Sequence, residues 1–527
     1  MSTLTVPLTG TGSLTRLALR RDRVMMPIWA VVVGGMVASG VGSIQTLYDT
    51  PAARARIAGA MSGNSSLRAL YGPVFDDSVG GLVAWRFGVF CATLAAVMSL
   101  IIVVRHTREE EETGRQELLS SAVVGRRAPL TAALLTALIA NTLVALIITA
   151  GLAGQGADGA LALGLAVGGT GMLFATMAAI VAQLTESARL AKGLAAAVLG
   201  TAFLLRAAGD AGTSDGSSVL TWLSPIGWAE NVRPYADERW WVLLVIGAAV
   251  LVQAGIAYEL TSRRDVGMSF LATRPGPAEG RLGTAAALAW RLQRGGLLGW
   301  SIGFLVAGIA FGGMAAGAAD IVGDNEQARE IFERMGGQAR LESAFLAAMV
   351  GMFGMIAALY AVGSVLRLHG EETSGRAEPI LANAVGRVRW AAGHLVIAFA
   401  GAALIMLLAG LGLYLTYGKD LGPVLGASLV QLPAIWTLAG IAVLFHGAFP
   451  KAAVGGWAAA GVSLVIGWIG PALNLPQSVL NLSPFGHLPK LPGQDMAWTP
   501  VLALTALAAA LVAAGLTGLR RRDVVTA

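Results

Sequence analysis

Apolar stretches of about 20 residues recur along the whole chain and alternate with short polar segments. A helix of about 20 apolar residues crosses the roughly 30 Å hydrocarbon core of a bilayer. The pattern predicts an all-α polytopic membrane protein of about twelve transmembrane helices, at approximately 24–47, 84–104, 129–153, 160–184, 190–208, 240–261, 295–318, 344–366, 390–416, 422–446, 452–470 and 499–518. The first stretch is too long for a signal-peptide core and no small-residue cleavage site follows it, so we expect it to be retained.

Basic residues concentrate in alternate loops between these stretches. With both termini in the cytoplasm, 25 of the 37 Lys and Arg residues fall in cytoplasmic segments, as the positive-inside rule requires. The net charge of +6 therefore reflects topology, and we expect membrane lipids rather than nucleic acid as the surroundings of the chain. Of the 37 basic residues 33 are arginine, which is typical of a GC-rich bacterial genome.

The composition excludes a water-soluble enzyme. Hydrophobic residues make up 55% of the chain and charged residues only 13%, against about 25% charged residues in soluble domains. The single cysteine, Cys91, excludes an internal disulfide and a multi-cysteine metal site, and we expect no metal to be bound.

Sequence motifs return in the same order in the second half of the chain. The recurring pairs are Arg20, Arg23 and Trp29 with Arg291, Arg294 and Trp300; Gly114-Arg115-x-Glu117 with Gly375-Arg376-x-Glu378; Leu223-Ser224-Pro225-x-Gly227 with Leu482-Ser483-Pro484-x-Gly486; and Arg263-Arg264-Asp265-Val266 with Arg521-Arg522-Asp523-Val524. Each half holds six spans and begins on the same side. We therefore predict two parallel six-helix repeats, at 1–265 and 283–527, joined by a cytoplasmic linker at 266–282.

One charged loop follows the second span of each half, at 105–128 and at 367–389. Each has a charge cluster, a glycine turn and a short amphipathic helix, and Pro379 suits the first turn of the second of these helices. A solvated loop that keeps charges out of lipid would also explain one such segment. The recurrence of Glu-Glu-x-[Thr/Ser]-Gly-Arg-x-Glu at the same topological position favours a protein-docking surface.

The chain resembles the fused permease subunits of type-2 superfamily ABC exporters. The resemblance rests on this loop motif, on the duplicated six-span layout and on the basic amphipathic segment before the first span of each half. The chain is most similar to the actinobacterial antibiotic and multidrug exporters of the tetronasin-resistance-like group. In that family the loop docks into a groove of a separate ATPase subunit. The resemblance implies an ATPase-coupling role for Glu110, Glu111, Gly114, Arg115 and Glu117 and for Glu371, Glu372, Gly375, Arg376 and Glu378. It further implies two ATPase copies, a bacterial plasma membrane and an amphiphilic drug, antibiotic or lipid as substrate.

The chain lacks the means to bind ATP itself. No G-x-x-x-x-G-K-[ST] phosphate loop occurs in the sequence, so we expect no enzymatic activity and no cofactor in this chain, with ATP and Mg on the partner. The alternative is a proton-coupled twelve-helix drug efflux carrier, which generally needs ionisable groups within the bilayer. The charges placed within spans, Arg86, Lys192, Arg206 and Glu259, lie near span ends, which favours the ATP-driven interpretation.

A membrane enzyme is a third class. Exterior acids occur at Asp76-Asp77 and along 320–333, but no histidine joins them. The spacing of Glu326, Arg329, Glu330 and Glu333 predicts instead an exposed exterior helix over 324–334.

In the family, substrate passes along the second and fifth spans of each half. Candidate wall residues are Phe87, Phe90 and Met98 in the second span and Met349, Met352, Phe353 and Tyr360 in the eighth. Methionine and aromatic side chains suit an adaptable apolar pathway, although such residues also pack against lipid or neighbouring helices. Ser224-Pro225 and Ser483-Pro484 predict short helices capped by serine, which would form an exterior gate or an ordinary interfacial turn.

Overall fold

A computed structural model describes residues 7–120, 123–265, 267–270, 283–316, 341–469 and 476–523. These residues form helices and no strands, as the pattern of apolar stretches predicts. The chain divides into a first unit, Met1–Pro275, and a second unit, Gly276–Ala527. The predicted exterior helix at 324–334 and most of the predicted linker at 266–282 lie outside the described residues.

The first unit contains thirteen described α-helices. They are α1 (Thr11–Arg21), α2 (Met25–Leu47), α3 (Pro51–Gly63), α4 (Ser65–Tyr71), α5 (Val79–His106), α6 (Arg108–Glu112), α7 (Arg115–Ser120), α8 (Ala128–Leu152), α9 (Ala157–Leu184), α10 (Ala188–Gly212), α11 (Val219–Leu223), α12 (Pro225–Asn231) and α13 (Trp240–Arg263). The centre of the unit is α9, which packs against α5, α8, α10, α12 and α13. Six of the helices, α2, α5, α8, α9, α10 and α13, are long and apolar enough to cross a membrane.

The second unit contains nine described α-helices. They are α14 (Ala285–Ala316), α15 (Leu341–Thr373), α16 (Glu378–Leu381), α17 (Arg387–Tyr417), α18 (Leu421–Leu429), α19 (Leu432–Ala448), α20 (Gly455–Ile469), α21 (Gln477–Leu480) and α22 (Trp498–Arg521). Here α17 packs along α14, α19 packs along α22, and α15 contacts both α17 and α19.

Eleven helical segments of the described chain meet the criteria for a membrane span. In the second unit these are α14, α15, α17, the α18–α19 pair and α22. The remaining predicted span, 452–470, corresponds to α20, a shorter apolar helix whose last residue, Ile469, is followed by residues that the structure does not describe. Continuous helices suit a membrane because they satisfy all their backbone hydrogen bonds internally.

Several spans differ from their predicted bounds for a physical reason. Hydropathy detects the stretch that lies in hydrocarbon, but a helix continues wherever its backbone hydrogen bonds continue. Thus α15 runs as far as Thr373 although its apolar stretch ends near 366. The predicted span 422–446 is interrupted between Leu429 and Leu432, just before Pro433, which lacks the N–H that an unbroken helix would use.

Small residues set the closest helix packing in the second unit. A Cβ atom added to Gly447 of α19 would lie 1.9 Å from the carbonyl oxygen of Gly515 in α22. Backbone atoms cannot turn aside as a flexible side chain can, so the two helices would have to separate.

We expect Gly447→Ala to lower the free energy of unfolding by about 1–3 kcal/mol, the usual cost of overpacking. Gly461→Ala in α20 is the matched control, because an added Cβ there meets no atom within 4 Å and alanine favours a helix. Thermal unfolding of both variants in detergent measures the difference. Equal melting temperatures for the two variants would contradict this account of the α19–α22 contact.

Candidate functional site

The first charged loop, residues 105–128, has the form that its sequence predicts. Helix α5 ends at His106, and α6 carries the four consecutive acids Glu109–Glu112. Gly114 then adopts a φ of 73°, in the left-handed region that glycine enters without the steric cost met by other residues. The chain reverses there into α7, which begins at Arg115.

The second charged loop, residues 367–389, repeats this arrangement with a different helix layout. Its acids Glu371 and Glu372 belong to the last turn of the long helix α15. Gly375 adopts a φ of 71°, and α16 follows with Pro379 in its first turn, as predicted. Both loops therefore consist of an acidic helix end, a left-handed glycine and a short helix.

In the first loop, the side chain of Glu110 is buried and forms ion pairs within the first unit. The residue is 8% exposed, and its Oε1 lies 2.5 Å from Arg21 Nη1 in α1 and 3.4 Å from Arg115 Nη1. Its counterpart Glu371 is also 8% exposed and lies 3.4 Å from Arg376 Nε. An ATPase-coupling role for these two acids stays a prediction, since both form ion pairs inside the first or the second unit, Glu110 with Arg21 and Arg115 and Glu371 with Arg376.

The next acid of each loop forms a bidentate ion pair with an arginine that directly follows the last long helix of its unit. Arg264, just after α13, donates from Nη1 and Nη2 to Glu111 at 2.9 and 2.6 Å. Arg522, just after α22, donates from the same two atoms to Glu372 at 2.5 and 2.7 Å. We name the pairs Glu111–Arg264 and Glu372–Arg522 the loop clamps. Two parallel bonds from guanidinium to carboxylate are among the strongest side-chain hydrogen bonds in proteins.

The first loop has further anchors to its own unit. Arg108 is 1% exposed and donates from Nε and Nη2 to the carbonyl oxygen of Ala182, at 2.9 and 2.6 Å. Glu112 Oε2 accepts a 2.9 Å hydrogen bond from the backbone N–H of Ala188, the first residue of α10. Glu109 lies 2.9 Å from Lys192 Nζ in the same helix. The loop thus contacts the ends of α9, α10 and α13.

The second loop has different residue types at the positions of these anchors. Thr373 stands at the position of Glu112, and its hydroxyl donates to the carbonyl oxygen of His369. His369 stands at the position of Arg108, and its ring lies 6.0 Å from that of His446. Since Thr373 is not acidic, the second loop has no carboxylate at this position to cap another helix as Glu112 caps α10.

The exposed charges of the two loops lie on α7 and on the turn that leads into α16. The side chain of Arg115 is 53% exposed and that of Arg376 is 59% exposed. Glu117 and Glu378, two residues further along, are also exposed. The predicted docking residues therefore divide into buried acids that fasten the loop and an exposed Arg-x-Glu that lies on the surface.

The predicted substrate-path residues pack inside their own units. Phe87 lies against Gly40 of α2, Phe90 packs edge-on to Tyr71, and Met98 is fully buried. Phe353 packs against Phe304 and Phe311. In the same helix, Met349, Met352 and Tyr360 are between 6% and 8% exposed. A role in a substrate pathway stays a prediction for all seven residues.

The first predicted gate segment has the expected capped helix. Ser224 precedes α12, its Oγ accepts hydrogen bonds from the N–H groups of Ile226 and Gly227, and Pro225 is the first helical residue. Its hydroxyl also donates to the carbonyl oxygen of Ala202 at 2.6 Å. This segment is therefore fastened to α10.

The second gate segment departs from the predicted capped helix. The residues Pro484–His487 form one turn of 3-10 helix, and the side chain of Ser483 makes no capping hydrogen bond. Pro489 follows closely and disfavours helical backbone at the residue before it, so the turn stops early. Gate function stays a prediction for both segments.

The sequence placed the charged loops correctly but did not identify their internal partners. Glu111 and Arg264 are 153 residues apart, and no local spacing relates them. One signal was available: the Arg-Arg-Asp-Val segments recur with the loop motifs, and each supplies the arginine of a loop clamp. The sequence also missed an ionic cluster around Arg206, at the opposite end of the first unit.

Comparisons with known proteins place the chain among efflux permeases. A family model described as "Multidrug efflux system permease Rv1217c, C-terminal domain" matches residues 282–520. The multidrug efflux system permease protein Rv1217c of Mycobacterium tuberculosis is 44% identical over 528 residues, which cover 98% of this chain and 95% of that protein.

Proposed function

Since this chain belongs to the family of multidrug efflux system permeases, we propose that it is the membrane subunit of an ATP-driven exporter of amphiphilic drugs, antibiotics or lipids. In this proposal it is a fused permease of the type-2 ABC exporter superfamily, with both termini and both charged loops in the cytoplasm of a bacterial cell. ATP and Mg bind to two copies of a separate ATPase subunit. The chain itself contributes the pathway and the docking surfaces.

The observation that carries the proposal is the construction of the two charged loops. Each loop fastens its acids to its own unit and leaves an Arg-x-Glu exposed at the start of a short helix. These exposed residues are Arg115 with Glu117 and Arg376 with Glu378. A loop whose only role is to keep charged residues in water would not need a buried bidentate ion pair. A loop that must transmit force from a docked partner to the membrane helices requires such a rigid connection.

The same construction relates docking to particular membrane helices. The loop clamps connect the loops to the ends of α13 and α22. In the first unit Glu112 and Glu109 add a connection to the start of α10. A displacement of α7 by a moving ATPase would therefore pass to α13 and α10 through charged contacts.

The ATP-driven mechanism is tested against the proton-coupled alternative in inverted membrane vesicles that contain the chain and its co-purifying ATPase. We expect uptake of a fluorescent amphiphilic drug to continue when ATP is supplied together with a protonophore. A proton gradient without ATP should support no uptake, and the purified chain alone should hydrolyse no ATP. Uptake that requires the gradient and ignores ATP would overturn the proposal in favour of the carrier.

A further inference from the structure

A buried ionic cluster lies in the first unit at the end opposite the first charged loop. Arg206 of α10 faces two carboxylates: its Nη1 lies 3.2 Å from Asp210 Oδ2 and 3.6 Å from Glu230 Oε2. The side chains of Arg206 and Asp210 are 0% exposed, and that of Glu230 is 6% exposed. When both acids are ionised, the cluster holds one positive and two negative charges.

The two carboxylates are unequally satisfied. Asp210 Oδ1 accepts a 2.7 Å hydrogen bond from the hydroxyl of Thr221, and Asp210 is the nearer of the two acids to the guanidinium. Neither oxygen of Glu230 accepts a hydrogen bond from the part of the chain that the structure describes. A buried carboxylate without hydrogen bonds is strongly disfavoured in its ionised form. Glu230 therefore needs either a proton or an additional cation.

When no further cation is bound beside Arg206, the protonated form of Glu230 is the stable one. Burial and the nearby negative charge of Asp210 raise the pKa of Glu230 well above its ordinary value. A protonated Glu230 is also able to donate its hydrogen to Asp210, which keeps the cluster neutral. A ligand cation that displaces this proton would restore the same balance of charge.

Glu230 forms part of the wall of a cavity of about 40 Å³. Three aromatic residues, Tyr71, Phe75 and Trp85, line the same cavity, and the rings of Tyr71 and Trp85 lie 5.0 Å apart. The faces of aromatic rings attract cations. A volume of about one to two water molecules admits an ammonium group but not a whole drug. Its oxygen ligands are too few for the six or more that Ca²⁺ takes.

The other charged groups near the cavity have partners of their own or face solvent. Arg68 of α4 donates to the backbone carbonyl oxygens of Asp210 and Ala211. Asp76 also lines the cavity, and its Oδ2 accepts a hydrogen bond from the N–H of Ser78. Arg233 stacks 4.4 Å above Phe75 and donates to the carbonyl oxygen of Asp215. Arg86 of α5 is exposed. The part of the cavity wall that comes from α9 is apolar, formed by Leu163, Ala166 and Val167.

We propose that this cavity binds the ammonium group of an amphiphilic organic cation, with Glu230 as its counter-ion and Tyr71 and Trp85 beside it. Binding exchanges one ligand cation for the proton of Glu230, so one proton is released for each cation bound. This inference rests on the proposed function only in treating the ligand as an exported substrate. Binding itself requires neither ATP nor the ATPase.

The test measures binding to the purified full chain in lipid nanodiscs, corrected with empty nanodiscs, in 150 mM NaCl. The probes are decylammonium and neutral decanol, which share the same hydrocarbon chain. We expect Glu230→Gln to weaken decylammonium binding at least tenfold and to leave decanol binding unchanged. The affinity of the unmodified chain for decylammonium should fall as the pH is lowered through the pKa of Glu230, and that of Glu230→Gln should not.

Two further variants keep the test decisive. Asp158→Asn removes an exposed carboxylate at the start of α9, at the same end of the unit, and should leave both affinities unchanged. Tyr71→Leu removes an aromatic face while retaining Glu230, and it should weaken decylammonium binding more than decanol binding. This variant tests the site even if Glu230→Gln does not fold.

Equal decylammonium binding by the unmodified chain and Glu230→Gln would overturn the site. A Glu230-dependent affinity in a chain that neither binds an ATPase nor uses ATP would retain the site and overturn the proposed function.

Discussion

The double substitution Arg115→Glu and Arg376→Glu is expected to release the ATPase and stop export while the chain remains folded and inserted. Both side chains are more than half exposed, and their ion pairs with Glu110 and Glu371 are long, at 3.4 Å. Such exposed pairs contribute about 0–1 kcal/mol to stability. In a docked complex the same groups become desolvated, and losing one partner of such a pair costs about 2–5 kcal/mol, enough to weaken assembly tenfold or more.

The control for this experiment is Lys419→Glu. Lys419 is 57% exposed, close to the exposure of Arg115 and Arg376, and it follows α17, at the end of the second unit opposite the second charged loop. The measurement is the amount of ATPase that co-purifies with each variant, together with ATP-driven drug uptake. Normal co-purification and export by the double variant would show that the exposed Arg-x-Glu groups do not dock an ATPase.

The loop clamps give the second large expected effect, this time on stability. We expect Glu372→Ala to lower the free energy of unfolding by about 3–5 kcal/mol, because it leaves the guanidinium of Arg522 buried without its partner. The side chains of Glu372 and Arg522 are only 2% and 14% exposed. In a double-mutant cycle, Arg522→Gln should cost much less in the Glu372→Ala background than in the unmodified chain.

An exposed pair of the same chemistry provides the matched control. Glu259 and Arg263, at the end of α13, lie 2.7 Å apart with side chains 55% and 67% exposed. Glu259→Ala should therefore change stability by no more than about 1 kcal/mol. Unfolding in detergent, followed by circular dichroism, compares the two substitutions. Equal effects of Glu372→Ala and Glu259→Ala would show that the loop clamp adds nothing beyond an ordinary surface pair.

The long helices could be predicted from the sequence because one physical requirement dominates them. A stretch such as 129–153 must be apolar to lie in hydrocarbon, and α8 is found there, at Ala128–Leu152. The ends were harder to predict, since α15 continues through the charged residues after 366, where hydropathy no longer indicates a span. The interruption between α18 and α19 was missed because Pro433 was treated as part of one apolar stretch.

The candidate site shows the same limit. A repeated motif identified both loops and their glycine turns, which local geometry alone determines. It could not show that Glu111 faces Arg264 or that Glu372 faces Arg522, because charges about 150 residues apart meet only through tertiary packing. The cluster around Arg206 was missed for the same reason. Glu230 lies in a connecting segment that hydropathy treats as exterior, yet folding buries it beside α10.

The unequal anchoring of the two charged loops is a consequence of encoding both halves of the protein in one gene. In a symmetric assembly of two identical subunits, every substitution occurs in both copies at once. Glu112, which caps α10, and Thr373, which stands at its position, could not coexist in such a pair. A single reading frame that encodes both halves removes this restriction, because each copy of the motif can then accumulate substitutions separately. Fusion of the halves thus allows natural selection to strengthen the attachment of one loop without imposing the same change on the other.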